Sequence, residues 1–331
     1  FMVWSKGDML EDLRQYDVID IDNTDVWFDV TTKASTIDNK TYAVWSAEPN
    51  FYSLIAFNKK LFADKGLENP YYYVERNEWT IDKMIELSTQ VSDFSNTGNP
   101  ILGFAPYNES SLVAAFVNAY GGNIFDYSEG KYSFALDSEK SMQALNKIVE
   151  FTRTNSLYIG REGAAYDQSL KDFEAGNVAM FEAAQWMLSR MAKVEGLDYG
   201  VTYFPKMNPS DEYISTSTTW NGWGIPKTAI NDKEGIAHVL NIVWGDYELS
   251  NEEREDIAIA NLERITKDKE SIDYIMDVYL KNKISYILNG EDLGLHWNIQ
   301  EPTCLHPDAY MAIIRGEATP LQAVSARKDA I

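Results

Sequence analysis

The sequence has few of the side chains that perform covalent or metal chemistry. Cys304 is the only cysteine, which excludes an internal disulfide and a cysteine metal cluster. The only histidines are His238, His296 and His306, and they do not stand at the spacings of a zinc site or a catalytic triad. We therefore predict no metal and no cofactor. For the Cys304 and His306 pair, a structural role is favoured over contact with a ligand or metal.

Basic side chains and long apolar runs are also scarce. The 29 Lys and Arg residues are outnumbered by 51 Asp and Glu residues, which gives a net charge of -22. A chain this acidic repels a phosphate backbone, which argues against nucleic acid as a partner. No apolar run approaches the roughly 18 residues that a membrane span needs. With 331 residues, the chain is long enough for two domains, each with its own core.

Aromatic side chains, in contrast, are abundant. The 20 Tyr, 14 Phe and 9 Trp residues make up 13% of the chain. Tyr and Trp combine an apolar face with a polar tip, and their number exceeds what a core needs. We interpret this excess as a binding surface that stacks on flat ligands and hydrogen-bonds their edges.

Strand-like and helix-like segments alternate along the chain, which indicates an α/β architecture. β-branched and aromatic residues predict strands at residues 1–4, 40–45, 51–57, 101–105, 199–205 and 218–226. Helical spacing predicts helices at 110–120, 138–154 and 167–175, and a mostly helical segment from Asn231 to residue 288. Thr80 is the expected N-cap of a further helix, and Gly66 is the expected stop of another.

Seven segments in sequence order resemble the extracellular solute-binding proteins of ABC importers, in the branch that includes maltose-binding protein. They are KTYAVW, IAFNKKLFADKGLENP, EWTIDKMIEL, NAYGGNIFD with FALDSEKSMQALNKIVEF, DFEAGNVAMFEAAQW, YGVTYFP and IIRGEATPLQA. The resemblance covers nearly the whole chain. The family begins with a further strand, helix and strand, which we expect upstream of Phe1, so the first lobe would be incomplete at its start.

The resemblance implies a periplasmic-binding-protein-like fold (type II) with two α/β lobes, a hinge and a ligand cleft between the lobes. Lobe closure around the ligand would be the functional motion. The family layout places residues 1–48 and 227–280 in the N-terminal lobe and residues 52–222 and 281–331 in the C-terminal lobe. The hinge crossovers are then expected near residues 48–51 and 224–226.

The resemblance also implies a function. We expect the substrate-binding subunit of an ABC importer, which captures a carbohydrate, above all an oligosaccharide, and delivers it to a membrane permease. The subunit would be a monomer without enzymatic activity. It would be extracellular, either periplasmic or a cell-surface lipoprotein, with membrane association only through a lipid anchor upstream of the sequence.

Trp186 is the leading candidate for ligand contact. It lies six residues after Met180, where related proteins place an aromatic residue that stacks on a sugar ring. The apolar C–H face of a pyranose fits the flat, electron-rich indole face; the alternative is a core aromatic. Ala183 and Ala184 replace the family's glycine-rich approach, and Glu182 adds a charge, which leaves ring approach and ligand size open.

Further candidates flank the first strand and the two crossovers: Trp4, Asp8, Trp45, Glu48, Tyr52, Trp220, Asn221 and Trp223. A carboxylate accepts strong hydrogen bonds from paired sugar hydroxyls, and an amide both donates and accepts. Structural alternatives stay open for each group. Trp4 suits a strand core, Asp8 suits the N-cap of the following helix, Glu48 suits a solvated turn, and one Trp of the second crossover suits buried packing.

Two other functions stay open beside sugar binding. The surplus carboxylates suit a cationic ligand, such as a polyamine or an amino sugar, held in a Trp cage. Glycoside hydrolases also combine aromatics with two carboxylates, for which Asp8, Glu48 and Glu182 are the candidates. The overall resemblance favours a carbohydrate binder over both.

Overall fold

The structure is a computed structural model, and it describes residues 4–5, 7–27, 29–45, 53–128, 131–158, 167–217, 222–229, 232–245, 249–281, 283–286 and 308–328. In these residues, helices α1 to α13 are Asp29–Ala34, Lys59–Asp64, Pro70–Glu75, Ile81–Val91, Glu109–Ala119, Glu139–Thr152, Gln168–Glu174, Gln185–Met191, Lys233–Trp244, Asn251–Glu263, Lys269–Leu280, Asp308–Ile314 and Pro320–Lys328. Strands β1 to β10 are Thr36–Ile37, Lys40–Thr41, Leu54–Asn58, Leu102–Ala105, Phe125–Ser128, Lys131–Phe134, Val178–Ala183, Tyr199–Tyr203, Ser215–Ser217 and Ile284–Tyr286. A short 3-10 helix spans Leu13–Gln15.

A four-stranded sheet with the order β4–β7–β3–β8 organises the larger core. Strand β4 runs parallel to β7, and β3 runs antiparallel to both of its neighbours. Every residue of β3, β7 and β8 is buried. Strands covered on both faces need such continuous burial, which explains why VAMFEA and LIAFN show no alternation of polar and apolar residues.

Capping residues begin and end helices where the sequence predicts. The side chains of Thr80 and Ser138 each accept a hydrogen bond from the backbone N–H three residues later, at 3.2 and 3.4 Å. Gly66 follows α2 with a φ of +65°, which glycine adopts without strain. The predicted cap at Asn231 lies outside the described residues, and Asp232 precedes α9 without a side-chain cap bond.

Most of the predicted elements form, with several differences. The predicted strand at 40–45 is reduced to Lys40–Thr41. The described residues 222–226 of the predicted strand at 218–226 make only isolated bridges. The predicted helices at 110–120, 138–154 and 167–175 are α5, α6 and α7. Trp4 was expected to end a strand, but it lies in a helical turn and is 54% exposed. The region predicted to be mostly helical to residue 288 contains strand β10, which pairs parallel with β9 from far earlier in the chain.

The N-terminal segment forms a second, smaller core with residues from late in the sequence. Leu13, Trp27 and Val44 are buried together with Ile225 and Leu240. The backbone joins the same two regions: Val44 and Trp223 exchange hydrogen bonds of 3.1 and 2.8 Å, and Leu10 bridges Pro226. Residues near both predicted crossovers therefore lie side by side.

Helices α10 and α11 pack with the larger core. The family layout places residues 227–280 in the N-terminal lobe, but Leu262 and Ile275 are buried in the core built around the four-stranded sheet. Ser271 bonds to the backbone N–H of Val201 in β8 at 2.9 Å, and Tyr203 donates to Asp277 at 2.6 Å. The physical reason is that α11 packs on β8 and α10 packs on α11, whereas Ala237 and Leu240 of α9 are buried with the N-terminal segment.

Candidate functional site

Three tryptophans stack at the point where the two crossover segments meet. The Trp45 and Trp223 rings are nearly parallel, with centroids 6.2 Å apart and an interplanar angle of 5°. Trp244, the last residue of α9, lies 4.9 Å from Trp223 and 5.6 Å from Trp45, centroid to centroid. Trp223 is 42% exposed. The backbone bridge between Val44 and Trp223 brings the two crossover segments together beside the stack.

The indole N–H of Trp45 adds an unused donor to this stack. Its Nε1 atom is buried and has no hydrogen-bond partner among the described residues. A buried donor without an acceptor costs about 1–3 kcal/mol. The stack therefore combines a large apolar surface with a donor group.

Trp186 presents a second aromatic surface at the start of α8. It is 48% exposed, in contrast to the core aromatic that is its structural alternative. The ring of Tyr107 packs edge-on against it, with centroids 6.1 Å apart and planes at 85°. The side-chain oxygen of neighbouring Gln185 is buried and has no hydrogen-bond partner in the described part of the chain. A flat ring with a fixed edge-on support and a polar neighbour suits stacking on an apolar ligand face.

Glu182 does not present a charge to this surface. It lies on β7 and is buried, and its two carboxyl oxygens each lie 2.8 Å from a serine hydroxyl, Ser53 on one side and Ser111 on the other. Burial raises the pKa of Glu182 to about 7, against a smaller lowering by the two serines. The expected charge beside Trp186 is therefore enclosed within the sheet.

Asp8 and Trp4 lie on the surface of the N-terminal segment. Asp8 is exposed and has a positive φ of 56°. Lys227 donates a hydrogen bond to its carboxylate and thereby holds the pKa of Asp8 below its ordinary value. The N-cap role considered for Asp8 belongs to Asp12, which accepts from the N–H of Arg14 at 3.1 Å. Asp8 and Lys227 tie the start of the chain to the second crossover.

Four of the predicted ligand contacts lie outside the described residues, and they are Glu48, Tyr52, Trp220 and Asn221. The Cys304 and His306 pair lies outside them as well. Of the other five, Trp45 and Trp223 come together in one stack, whereas Trp186 lies at the start of α8, and Trp4 and Asp8 lie on the N-terminal segment.

Sequence reasoning missed Trp244, Tyr107 and the serine partners of Glu182. Trp244 ends the predicted helix HVLNIVW, so its sequence signal was that of an ordinary helical stripe. Tyr107 follows strand β4 in a loop. Ser53 and Ser111 are 129 and 71 residues away from Glu182, and local spacing holds no information on such distant partners.

No metal site is apparent in the part of the chain that the structure describes. There, no three His, Cys, Asp or Glu side chains are grouped so that they could hold an ion. None of the described helices combines the length and the apolar character needed to cross a membrane.

Comparison with protein families gives a match over most of the chain. A model of the bacterial extracellular solute-binding proteins matches residues 1–240. No curated protein matches the sequence.

Three solved structures illustrate what the fold is similar to. An ABC substrate-binding protein from Listeria monocytogenes, in complex with cycloalternan, is 17% identical with a TM-score of 0.67, over 99% of this chain and 80% of that one. The GacH receptor of Streptomyces glaucescens, studied unliganded and with acarbose and an acarbose homolog, is 16% identical with a TM-score of 0.68, over 99% and 79%. An ABC transporter solute-binding protein from Thermotoga lettingae, bound with alpha-D-tagatose, is 16% identical with a TM-score of 0.65, over 99% and 81%.

These similarities confirm the predicted fold class. The chain has the two-lobed α/β fold of periplasmic solute-binding proteins. The arrangement of aromatic surfaces on this fold is compatible with capture of a small solute.

Proposed function

The chain belongs to the bacterial extracellular solute-binding proteins, and we propose that it is the substrate-binding subunit of an ABC importer that captures a carbohydrate. The observation that carries the choice of ligand is Trp186, half exposed and braced edge-on by Tyr107. The half-exposed Trp223 of the three-indole stack supports the same choice. Flat exposed indoles match the apolar C–H faces of sugar rings.

The solved relatives support this ligand class. The Listeria, Streptomyces and Thermotoga proteins were studied with cycloalternan, acarbose and alpha-D-tagatose. An oligosaccharide is favoured over a single sugar because aromatic surfaces are present both at Trp186 and at the crossover. Several stacked rings in one ligand would use both.

We place the ligand cleft between two lobes with revised boundaries. One lobe holds the described residues of 4–45 and 222–245, most of whose buried hydrophobic residues share the smaller core, with Ile37 in the larger one. The other holds residues 53–217, 249–286 and 308–328, most of whose buried residues share the larger core. In this division Trp45 and Trp223 lie at the crossovers, so closure of the lobes would move Trp186 relative to the stack. Trp4, Asp8, Glu48, Tyr52, Trp220 and Asn221 stay proposed ligand contacts.

Binding without turnover is favoured over the two rival functions. A hydrolase needs two carboxyl groups beside the scissile bond, and a cationic ligand needs free carboxylates. Asp8 is paired with Lys227, and Glu182 is enclosed by two serines. Two of the three candidate carboxylates are thus occupied by partners within the described residues, Glu48 lies outside them, and we propose that the protein is not an enzyme.

The proposed partner is the permease of the importer, to which the closed, ligand-loaded form is delivered. The protein acts as a monomer in this scheme. A lipid anchor stays a prediction of the sequence resemblance.

The experiment is a ligand panel measured by thermal unfolding and by calorimetry. The panel contains monosaccharides, maltose-type and other oligosaccharides, an amino sugar and spermidine. A ligand that binds only the folded state raises the melting temperature with the logarithm of its concentration. We expect a shift with an oligosaccharide and unchanged ligand after prolonged incubation. A shift with spermidine alone, or release of shorter sugars, contradicts the proposal.

A further inference from the structure

Glu182 is a carboxyl group enclosed by two hydroxyls in the middle of the sheet. Ser53 Oγ donates to its Oε1 at 2.8 Å, and Ser111 Oγ lies 2.8 Å from its Oε2. Ile55 is its partner across the β3–β7 ladder. An ionised carboxylate buried among such neighbours is costly unless a cation balances it, and no cation among the described residues bonds to it.

The hydroxyl of Ser111 has one hydrogen and two acceptors within reach. Its Oγ lies 2.9 Å from the carbonyl oxygen of Asn108 and 2.8 Å from Glu182 Oε2. It also accepts from the backbone N–H of Asn108 at 3.2 Å. When Glu182 is protonated, it donates to Ser111, and Ser111 donates to Asn108, so each contact pairs a donor with an acceptor. When Glu182 is ionised, the serine hydrogen turns to the carboxylate, and the contact with the Asn108 carbonyl has no hydrogen.

The described charged side chains on the helices around β7 do not bond to Glu182. They pair elsewhere or lie at helix starts: Lys171 with Asp167, Glu174 with Arg190, Lys83 with Glu86, Asp82 with Lys147, Asp172 with Gln168, and Glu109 in the first turn of α5. None of these charges shifts the pKa of Glu182, which burial raises to about 7.

The hydrogen bonds around Glu182 are connected to the aromatic surface of Trp186 along two paths. Asn108 caps α5 by accepting from the backbone N–H of Ser111 at 2.8 Å. Tyr107, the residue before this cap, packs edge-on against Trp186. Glu182 itself precedes Trp186 by four residues, where β7 leads into α8. Glu182 and Ser111 are therefore connected through the chain both to the indole and to the ring that braces it.

We propose that Glu182 is a positioning residue whose protonation, transmitted through Ser111 to Asn108, sets the placement of Tyr107 against Trp186 and so makes ligand affinity fall as pH rises. The effect on affinity rests on the proposed function. The hydrogen-bond relay, from Glu182 through Ser111 to Asn108, does not depend on the proposed function, so the relay and the effect on affinity are tested separately.

The relay is tested first in the ligand-free protein by infrared difference spectroscopy. We expect a C=O stretching band of a buried protonated carboxyl that disappears as pH rises through neutrality and is missing in Glu182→Gln. The control is Glu195→Gln, which makes the same substitution at an exposed turn and keeps the band. A wild-type protein without a titrating band, or a band that persists in Glu182→Gln, overturns the relay.

A second variant keeps the test decisive if Glu182→Gln does not fold. Ser53→Gly removes one hydroxyl and suits the positive φ of 57° at this position. Because the Ser53 hydrogen bond lowers the pKa of Glu182, its loss should move the midpoint of the band to higher pH. An unchanged midpoint overturns the role given to the serines.

Ligand affinity is then measured by calorimetry at about pH 6 and about pH 8, with the oligosaccharide that gives the largest thermal shift. We expect Kd to rise about fivefold in the wild type, a coupling of ordinary size, and to stay constant in Glu182→Gln. Glu195→Gln should follow the wild type. An equal pH profile in wild type and Glu182→Gln overturns the proposal. A titrating band in a protein that binds no sugar supports the relay and contradicts the proposed function.

Discussion

At the scale of the residue, Trp186 combines exposure with a fixed orientation. Half of its surface is open to solvent, while Tyr107 supports its ring from one side. A side chain braced in this way loses little rotamer freedom when a ligand stacks on it. Rigid aromatic anchors of this kind contribute strongly to binding.

We therefore expect Trp186→Ala to weaken oligosaccharide binding by about 2 kcal/mol, roughly thirtyfold in Kd. Trp186→Phe should recover part of the loss because it keeps a flat ring. The matched control is Phe94→Ala, which removes another half-exposed aromatic from the surface. Calorimetry measures the three affinities, and circular dichroism checks the fold. Equal affinities in Trp186→Ala and wild type would remove Trp186 from the site.

A separate prediction concerns the pH dependence that Glu182 gives to the free energy of unfolding. Its pKa in the folded chain is about 7, above the ordinary value of 4.5, so folding favours the protonated form. The resulting stabilisation is complete below about pH 4.5 and is lost as pH rises to about 7. Relative to Glu182→Gln, which does not titrate, the wild type should lose up to about 3 kcal/mol of unfolding free energy over this range.

The measurement is urea unfolding of both proteins across this pH range. Glu195→Gln serves again as the comparison, and the difference in unfolding free energy between this variant and the wild type should not change with pH. Carboxylates whose pKa values lie below the ordinary one, such as Asp93 and Asp277, affect all three proteins equally and cancel. A flat difference for Glu182→Gln would show that the carboxyl is ionised throughout.

Single residues also show where sequence reasoning ends. Trp186 is exposed at the strand-to-helix junction where a local motif placed it, and its contact with a ligand stays a prediction. The charge expected from Glu182 is absent from the surface, because two serines distant in the sequence enclose the carboxyl. Local spacing identifies junctions, but it does not identify partners that only the fold brings together.

At the scale of the element, the contact between α4 and β4 is the tightest constraint on the sheet edge. A Cβ atom on Gly103 would collide with the backbone carbonyl group of Ser88. Backbone atoms of a packed helix cannot move aside as a flexible side chain can. Glycine at this position lets α4 lie directly on the strand.

Gly103→Ala should therefore destabilise the protein by about 3 kcal/mol, the upper part of the usual range for overpacking. Gly98→Ala is the matched control, because its added methyl group would meet only the Asn96 side chain at 3.6 Å. Thermal and urea unfolding compare the two variants with wild type. Equal midpoints for Gly103→Ala and Gly98→Ala would contradict the close approach.

Helices and strands were predictable to different degrees. Helices α4 and α6 could be predicted because caps and apolar spacing are local properties. Strand β10 could not, because its three residues pair with β9, about 70 residues earlier in the chain. The membership of α11 in the larger core depends on contacts with Val201 and Tyr203, and the order of segments along the chain does not reveal it.

At the scale of the whole molecule, the proposed function requires the two lobes to approach each other on binding. A compact body of this length has a radius of gyration of about 20 Å, and an open two-lobed form has a larger one. We expect small-angle X-ray scattering to show a decrease in the radius of gyration when the preferred oligosaccharide saturates the protein. Trp186→Ala at the same ligand concentration should show a smaller decrease because fewer molecules are loaded. An unchanged radius in the saturated wild type would exclude closure.

The three-indole stack of Trp45, Trp223 and Trp244 also has an optical consequence. Indoles separated by 4.9–6.2 Å are close enough for their electronic transitions to couple. Such coupling gives a paired positive and negative signal in circular dichroism, with an amplitude that depends on the angle between the rings. Because the stack joins the N-terminal segment, the second crossover and the end of α9, loss of the smaller core would abolish this signal, whereas closure of the proposed lobes would leave it unchanged. The protein thus contains its own chromophore for following the smaller core, and no label needs to be attached.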